Sequence, residues 1–140
     1  MKLKYLRIAL ILIIILSIIT NFNFFLTGGI PSILGISMTI LYILCWSLFI
    51  KSSRYSKKDL LFSIVWSVAT LACSAIILVQ SLNESLMLSF IIPFAMIFIT
   101  PLYAIIALFN QPGFLVESIA LTAISLTWVA VSSIFFKRIK

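Results

Sequence analysis

The amino-acid sequence predicts an all-α integral membrane protein, a polytopic helical bundle that forms a single transmembrane domain over residues 1–140. Hydrophobic residues make up 64% of the 140 residues, and charged residues make up 9%, against about 25% in an ordinary soluble domain. The charges lie in small clusters at the ends of long apolar runs. Four of these runs are long enough alone, and a fifth with its flanks, to supply the roughly 20 apolar residues that a helix needs to cross a bilayer. We therefore predict five transmembrane helices, at about residues 6–26, 30–50, 60–80, 86–109 and 114–136.

The first three predicted helices each have a recognisable start. Basic residues followed by an apolar run resemble a signal peptide, but the small-x-small cleavage motif is missing after Ile19, so we expect this run to be retained as a helix. The second run follows a Gly28-Gly29 turn, with Pro31 near its start. The third follows Ser56-x-x-Asp59, a capping-box pattern that places a hydroxyl and an acid at a helix N-terminus.

The fourth run leaves an alternative fold open. It contains Pro93 and Pro101, and each proline removes a backbone donor, so that a helix kinks or breaks there. The run is long enough to cross as a kinked helix. The alternative is four spans plus a re-entrant segment that contains both prolines.

The basic residues predict the orientation of the bundle. They precede the first run, lie in the loop 51–59 and follow the last run, and excess Lys and Arg in short loops stays cytoplasmic. The N-terminus and this loop are therefore expected in the cytoplasm, with Trp46 near the same boundary. Five spans would leave the basic C-terminal tail outside, whereas four spans would return it to the cytoplasm. The net charge of +7 is expected to attract anionic lipid headgroups rather than nucleic acid.

Hydroxylated residues form the most regular pattern inside the runs. They recur at spacings of three, four and seven, which keeps them on one narrow face of a helix. Small residues on such a face let helix backbones approach closely in lipid, so we expect packing faces; the alternative is the polar lining of a pathway. The residues are Ser63, Ser67, Thr70 and Ser74 in the third run, and Ser118, Thr122, Ser125 and Ser132 in the last.

The sequence predicts no catalytic, cofactor-binding or metal-binding site. It contains no histidine and two separated cysteines, Cys45 and Cys73, so the usual bases and metal ligands are missing. Glu117 lies near the start of the last run, where a helix dipole favours an acid. It is also the deepest acid, and therefore the best candidate for a functional one.

Two functional hypotheses remain from the sequence. The first is a membrane component without catalytic machinery that binds another membrane protein, as an accessory, immunity-type or assembly component. The second is a small oligomeric transporter or channel that uses the hydroxyl-rich faces and the proline-containing run. The first is favoured because ionisable residues, which usually mark transport sites, are missing from the centres of the runs.

Overall fold

The computed structural model describes residues 3–27, 29–82, 92–107 and 114–138, and every element within these ranges is helical. Four helices are long and three elements are short. In chain order they are α1 (Leu3–Thr27), α2 (Ile33–Ser53), α3 (Lys57–Leu82), α4 (Ile92–Phe98), a 3-10 turn (Thr100–Leu102), α5 (Tyr103–Ala107) and α6 (Phe114–Arg138).

The all-α prediction is confirmed, and the count of five spans is not. Four stretches among the described residues are long and apolar enough to cross a membrane, and they correspond to the first, second, third and fifth predicted runs. In its described part, the fourth run consists of the three short elements instead of one continuous helix. The four stretches are Lys4–Thr27, Ile33–Ser53, Lys57–Gln80 and Ile119–Arg138.

Local capping explains where two of the long helices begin. The Ser32 hydroxyl accepts a hydrogen bond of 3.1 Å from the Gly35 backbone N–H at the start of α2. At the start of α3, the Ser56 hydroxyl accepts one of 3.4 Å from the Asp59 N–H, as the capping pattern predicts. Each bond satisfies a backbone donor that has no partner inside its own helix.

The long helices form two antiparallel pairs. In the first, the Ser17 hydroxyl of α1 donates to the Met38 carbonyl of α2 at 3.2 Å. In the second, which has the most extensive contact among the described elements, α6 lies against α3. Ser63 of α3 faces Ser132, whereas Ser74 faces Thr122, so the two helices run in opposite directions.

This arrangement places the described basic clusters at one end of the bundle, which we call the basic end. Arg7 of α1 contacts Asp59 at the start of α3, and Arg54 after α2 shares a cleft with Arg138 of α6. The opposite end, where α3 finishes at Leu82, we call the neutral end. Because α6 is antiparallel to α3, it also begins at the neutral end.

Residues 92–107, which we call the broken segment, pack against α1, α2 and α3. Pro93 is the second described residue of α4; the residues before Ile92 lie outside the described part, so the kink expected at Pro93 stays a prediction. Pro101 does interrupt the helix: it lies in the 3-10 turn, in which the Leu102 N–H donates to the Ile99 carbonyl at 2.8 Å. Ile99, Pro101 and Leu102 are buried.

The broken segment contacts the bundle both in its interior and at its neutral end. The Phe98 ring lies 4.8 Å from that of Trp66, which is about 14 Å along α3 from Lys57 at 1.5 Å per residue. Five residues later, the Tyr103 hydroxyl donates to the Gly29 carbonyl at the neutral end, at 3.0 Å. The segment therefore returns to the end at which α3 finishes and α6 begins.

The closest approach of α1 and α2 generates the first prediction. A Cβ at Gly35 would collide with Asn21 Oδ1, and Asn21 cannot easily move because it is fully buried and donates to Thr39. We expect Gly35→Ala to destabilise the protein by about 1–3 kcal/mol through overpacking, measured as a lower melting temperature in detergent. Ser37→Ala, on the exposed side of the same helix, is the matched control. An unchanged melting temperature for Gly35→Ala would contradict this close packing.

Candidate functional site: the polar groups of the bundle interior

The predicted hydroxyl faces of α3 and α6 lie against each other in the structure. We call this contact the hydroxyl interface. Its members are fully buried apart from Thr122, which is partly buried. Ser118 belongs to the α6 backbone, but its side chain lies outside the described residues. The interface consists of Ser63, Ser67, Thr70 and Ser74 of α3 and Thr122, Ser125 and Ser132 of α6.

Most hydroxyls of this interface bond to the backbone of their own helix. Thr70 donates to the Trp66 carbonyl, Ser74 to Leu71 and Ser125 to Leu121, each at 2.9 Å. Contacts between the two helices are longer: 3.5 Å from Ser63 to Ser132 and 3.4 Å from Thr122 to Ser74. A hydroxyl that is satisfied by its own helix presents a small surface to its neighbour, so close packing contributes more to this contact than hydrogen bonding between helices.

A second polar contact joins α1 to α2. The Asn21 side-chain amide donates to Thr39 Oγ1 at 3.2 Å, and both residues are buried. Gly35 lies directly against Asn21 Oδ1, an acceptor with no hydrogen-bond partner among the described residues. Sequence reasoning singled out neither Asn21 nor Gly35. The sequence feature that could have indicated this contact is a polar residue on one apolar helix and a glycine on the next.

Aromatic rings connect α2, α3, α4 and α6 in an aromatic cluster. Trp46 is its centre, since it is fully buried and its ring lies within 5.8–6.2 Å of five other rings. Its indole N–H has no partner among the described groups. Trp46 therefore packs inside the bundle, whereas its position near a membrane boundary stays a prediction. The cluster comprises Tyr42, Trp46, Phe49, Phe62, Trp66, Phe98 and Trp128.

An ion pair joins α1 to α3 at the basic end of the bundle. Arg7 Nη2 of α1 lies 2.7 Å from Asp59 Oδ2 of α3, and the side chains are 51% and 8% exposed, respectively. Asp59 thus does more than occupy a helix start, because its carboxylate holds two helices that are far apart in sequence. The sequence feature that could have indicated this ion pair is a single acid among the basic residues of this end.

The remaining candidates supply little chemistry. Both cysteines are free, with Cys73 buried and Cys45 partly buried, and no group of three or more potential metal ligands occurs among the described residues. The backbone of Glu117 belongs to α6, and its side chain is outside the described part. The other buried polar atoms without a partner among the described groups are Ser53 Oγ, Ser67 Oγ and Thr100 Oγ1.

Comparison of the chain with protein-family models, with curated proteins and with solved structures finds no match.

The hydroxyl interface generates the second prediction. Leu at Ser67 or Ser125 would force two closely packed backbones apart, so we expect Ser67→Leu and Ser125→Leu to lower the melting temperature in detergent. Ser67→Ala, which keeps the small volume and removes an unpartnered hydroxyl, should be tolerated. Ala72→Leu and Ala123→Leu, at exposed positions of the same helices, are the matched controls. Equal tolerance of all the Leu variants would contradict the packing role, and equal sensitivity of Ser67→Ala would show that the hydroxyl itself matters.

The ion pair generates the third prediction. Arg7→Gln leaves a buried carboxylate without its cation, so we expect a loss of about 1–3 kcal/mol of stability. Asp59→Asn removes the buried charge itself and leaves a half-exposed arginine that water can solvate, so its cost should be smaller. Thermal unfolding of both single variants and the double variant measures the difference, with Lys4→Gln as the exposed control on α1. A larger loss for Asp59→Asn than for Arg7→Gln would contradict this account.

Proposed function

We propose that this chain is an integral membrane protein of the cell membrane that acts without catalysis by binding another membrane protein. Membrane insertion is supported by what the long helices present outward. Ile11, Ile19, Leu44, Val65 and Leu126, on four different helices, are between 52% and 65% exposed. Faces of this kind are unfavourable in water, where large apolar patches associate, and suit contact with lipid chains or with another protein's helices.

The proposed topology has four spans plus a re-entrant segment. Helix α3 ends and α6 begins at the neutral end, and Tyr103 contacts Gly29 there, which supports a segment that enters and leaves from the same face. Irregular backbone at membrane depth is tolerated where protein surrounds it, and the buried residues Ile99, Leu102 and Ala104 meet that condition. The excess of Lys and Arg then places the basic end, with both termini, in the cytoplasm.

The observation that carries the functional proposal is the use of the hydroxyl groups. In a transporter or channel we expect such groups to line an open route, whereas Ser63, Thr70, Ser125 and Ser132 are fully buried between two helices and bond to backbone carbonyls or to each other. This supports a closed bundle with an apolar exterior. Such an exterior offers binding surface in the membrane, in the manner of an accessory, immunity-type or assembly component.

A small oligomeric transporter or channel is the second candidate, because one specific observation favours it. The broken segment is interrupted at Pro101, and the buried Thr100 Oγ1 beside the break has no partner among the described groups. Interrupted helices form the substrate sites of many transporters. In this alternative, the segment would move away from α1–α3 to open a route.

Purification in mild detergent tests the proposal. A tagged full-length chain should carry a second membrane protein at constant stoichiometry through affinity and size-exclusion steps. An unrelated four-span protein with the same tag should not carry it. Recovery of a homo-oligomer alone, together with solute movement in liposomes that contain it, would overturn the proposal in favour of the second candidate.

A further inference from the structure

The basic end of the bundle contains a cleft between the end of α2 and the end of α6. Its volume is about 430 Å³ and it is open on one side. Its lining in the described part of the chain consists of two arginines, a tyrosine and a phenylalanine: Arg54, Tyr55, Phe135 and Arg138. Arg54 and Arg138 are separated by 84 positions of the chain, so the fold is what brings their guanidinium groups to one cleft.

The two guanidinium groups have no carboxylate partner among the described residues. Asp59 supplies the only carboxylate side chain of the described part, and it pairs with Arg7. Two like charges that share a cleft repel each other unless an anion lies between them. The arrangement is therefore suited to an anionic group, and arginine forks match phosphate oxygens with paired N–H donors.

The position of Arg54 is held by its neighbour. Its guanidinium carbon lies 4.5 Å from the centre of the Tyr55 ring, a cation–π contact. This contact leaves the hydrogen-bond donors of Arg54 without a protein acceptor among the described residues. Tyr55 also lines the cleft and is 78% exposed.

The fourth lining residue indicates which phosphate compound fits. Phe135 lies three residues before Arg138 on α6 and is partly buried against the core, so the cleft extends from the charged end toward the apolar part of the helix. A soluble phosphate would leave that wall unused. A phospholipid would place its headgroup on the arginines and an acyl chain along the phenylalanine.

We propose that this cleft binds one anionic phospholipid, with its phosphate held by Arg54 and Arg138 and its acyl chain against Phe135. The proposal rests on the membrane insertion proposed above, and it adds a defined site to the general attraction that basic residues exert on anionic membranes. Basic pockets between membrane helices on the cytoplasmic side are a recurrent setting for such headgroups. The bound lipid would bridge α2 and α6 at the basic end.

Native mass spectrometry of the delipidated full-length protein tests the site. We expect one molecule of dioleoyl phosphatidylglycerol to bind, and Arg54→Gln or Arg138→Gln to weaken its binding about tenfold, as the loss of a charge-assisted hydrogen bond implies. Lys58→Gln, which removes the same charge from the same end but does not line the cleft, should weaken it less than about threefold. Arg54→Lys should fall between wild type and Arg54→Gln, because it keeps the charge and loses the fork.

Three results would overturn the proposal. Equal weakening by Lys58→Gln and by the two arginine variants would show general charge attraction instead of a site. Equally tight binding of dioleoyl phosphatidylcholine would show that the headgroup charge is not recognised. Displacement of the lipid by inorganic phosphate or glycerophosphoglycerol at matching concentrations would assign the cleft to a soluble phosphate.

Extraction with alkaline carbonate tests membrane insertion separately. Alkaline carbonate should leave the wild-type chain in the membrane fraction. Release into the soluble fraction would overturn membrane insertion and the lipid assignment together, whereas retention combined with any of the three results above would overturn the lipid assignment alone.

Discussion

The antiparallel packing of α6 on α3 is the contact on which the rest of the topology depends. Small hydroxylated residues let the two backbones approach closely, and the contacts of Ser63 with Ser132 and of Ser74 with Thr122 define their relative direction. Once α6 runs opposite to α3, its Lys137 and Arg138 lie at the same end as Lys57. The chain between the two helices must then start and finish at the neutral end.

That requirement explains how a long apolar run can fail to be a continuous helix. Pro101 removes a donor in the middle of the run, and the 3-10 turn satisfies part of the interrupted backbone through its own bonds. Packing against three long helices shields the rest. Two contacts hold the broken segment in place. Phe98 packs in the aromatic cluster in the bundle interior, and Tyr103 bonds to Gly29 at the neutral end.

Periodicity and charge placement predict much of this architecture from the sequence. The approximate positions of the long helices follow from apolar length, and the start of α3 follows from its capping residue Ser56. The hydroxyl face of α3 follows from a spacing that a helix turns into one stripe. Run length could not predict the broken segment, because a largely apolar run over residues 86–109 is compatible with a crossing and with a re-entrant path. Which of the two paths the run takes depends on the helix that α6 packs against, and that packing is a feature of the tertiary structure.

Contacts between residues far apart in the chain were also beyond sequence reasoning. Trp46 resembles an interfacial aromatic by its position near Lys51, yet its neighbours in space, Trp66 and Trp128, make it a core residue. Asp59 resembles the acid of a capping box, but its carboxylate bonds to Arg7, which lies 52 positions earlier; Ser56 is the residue that caps the helix. Helix ends are local and readable, whereas the pairing of side chains across the bundle follows only from the packed arrangement.

The most direct test of the central claim is the side of the membrane on which the C-terminus lies relative to the N-terminus. With Cys45 and Cys73 replaced by Ala, single cysteines can be placed at position 2, at position 30 and after Lys140, and probed in intact cells with an impermeant thiol reagent. Ile30 is 81% exposed in the turn between α1 and α2 and reports the outer face. The account predicts labelling at position 30 alone until the cells are opened. Labelling of the C-terminal cysteine in intact cells, with position 2 protected, would require a fifth crossing and contradict the antiparallel arrangement of α3 and α6.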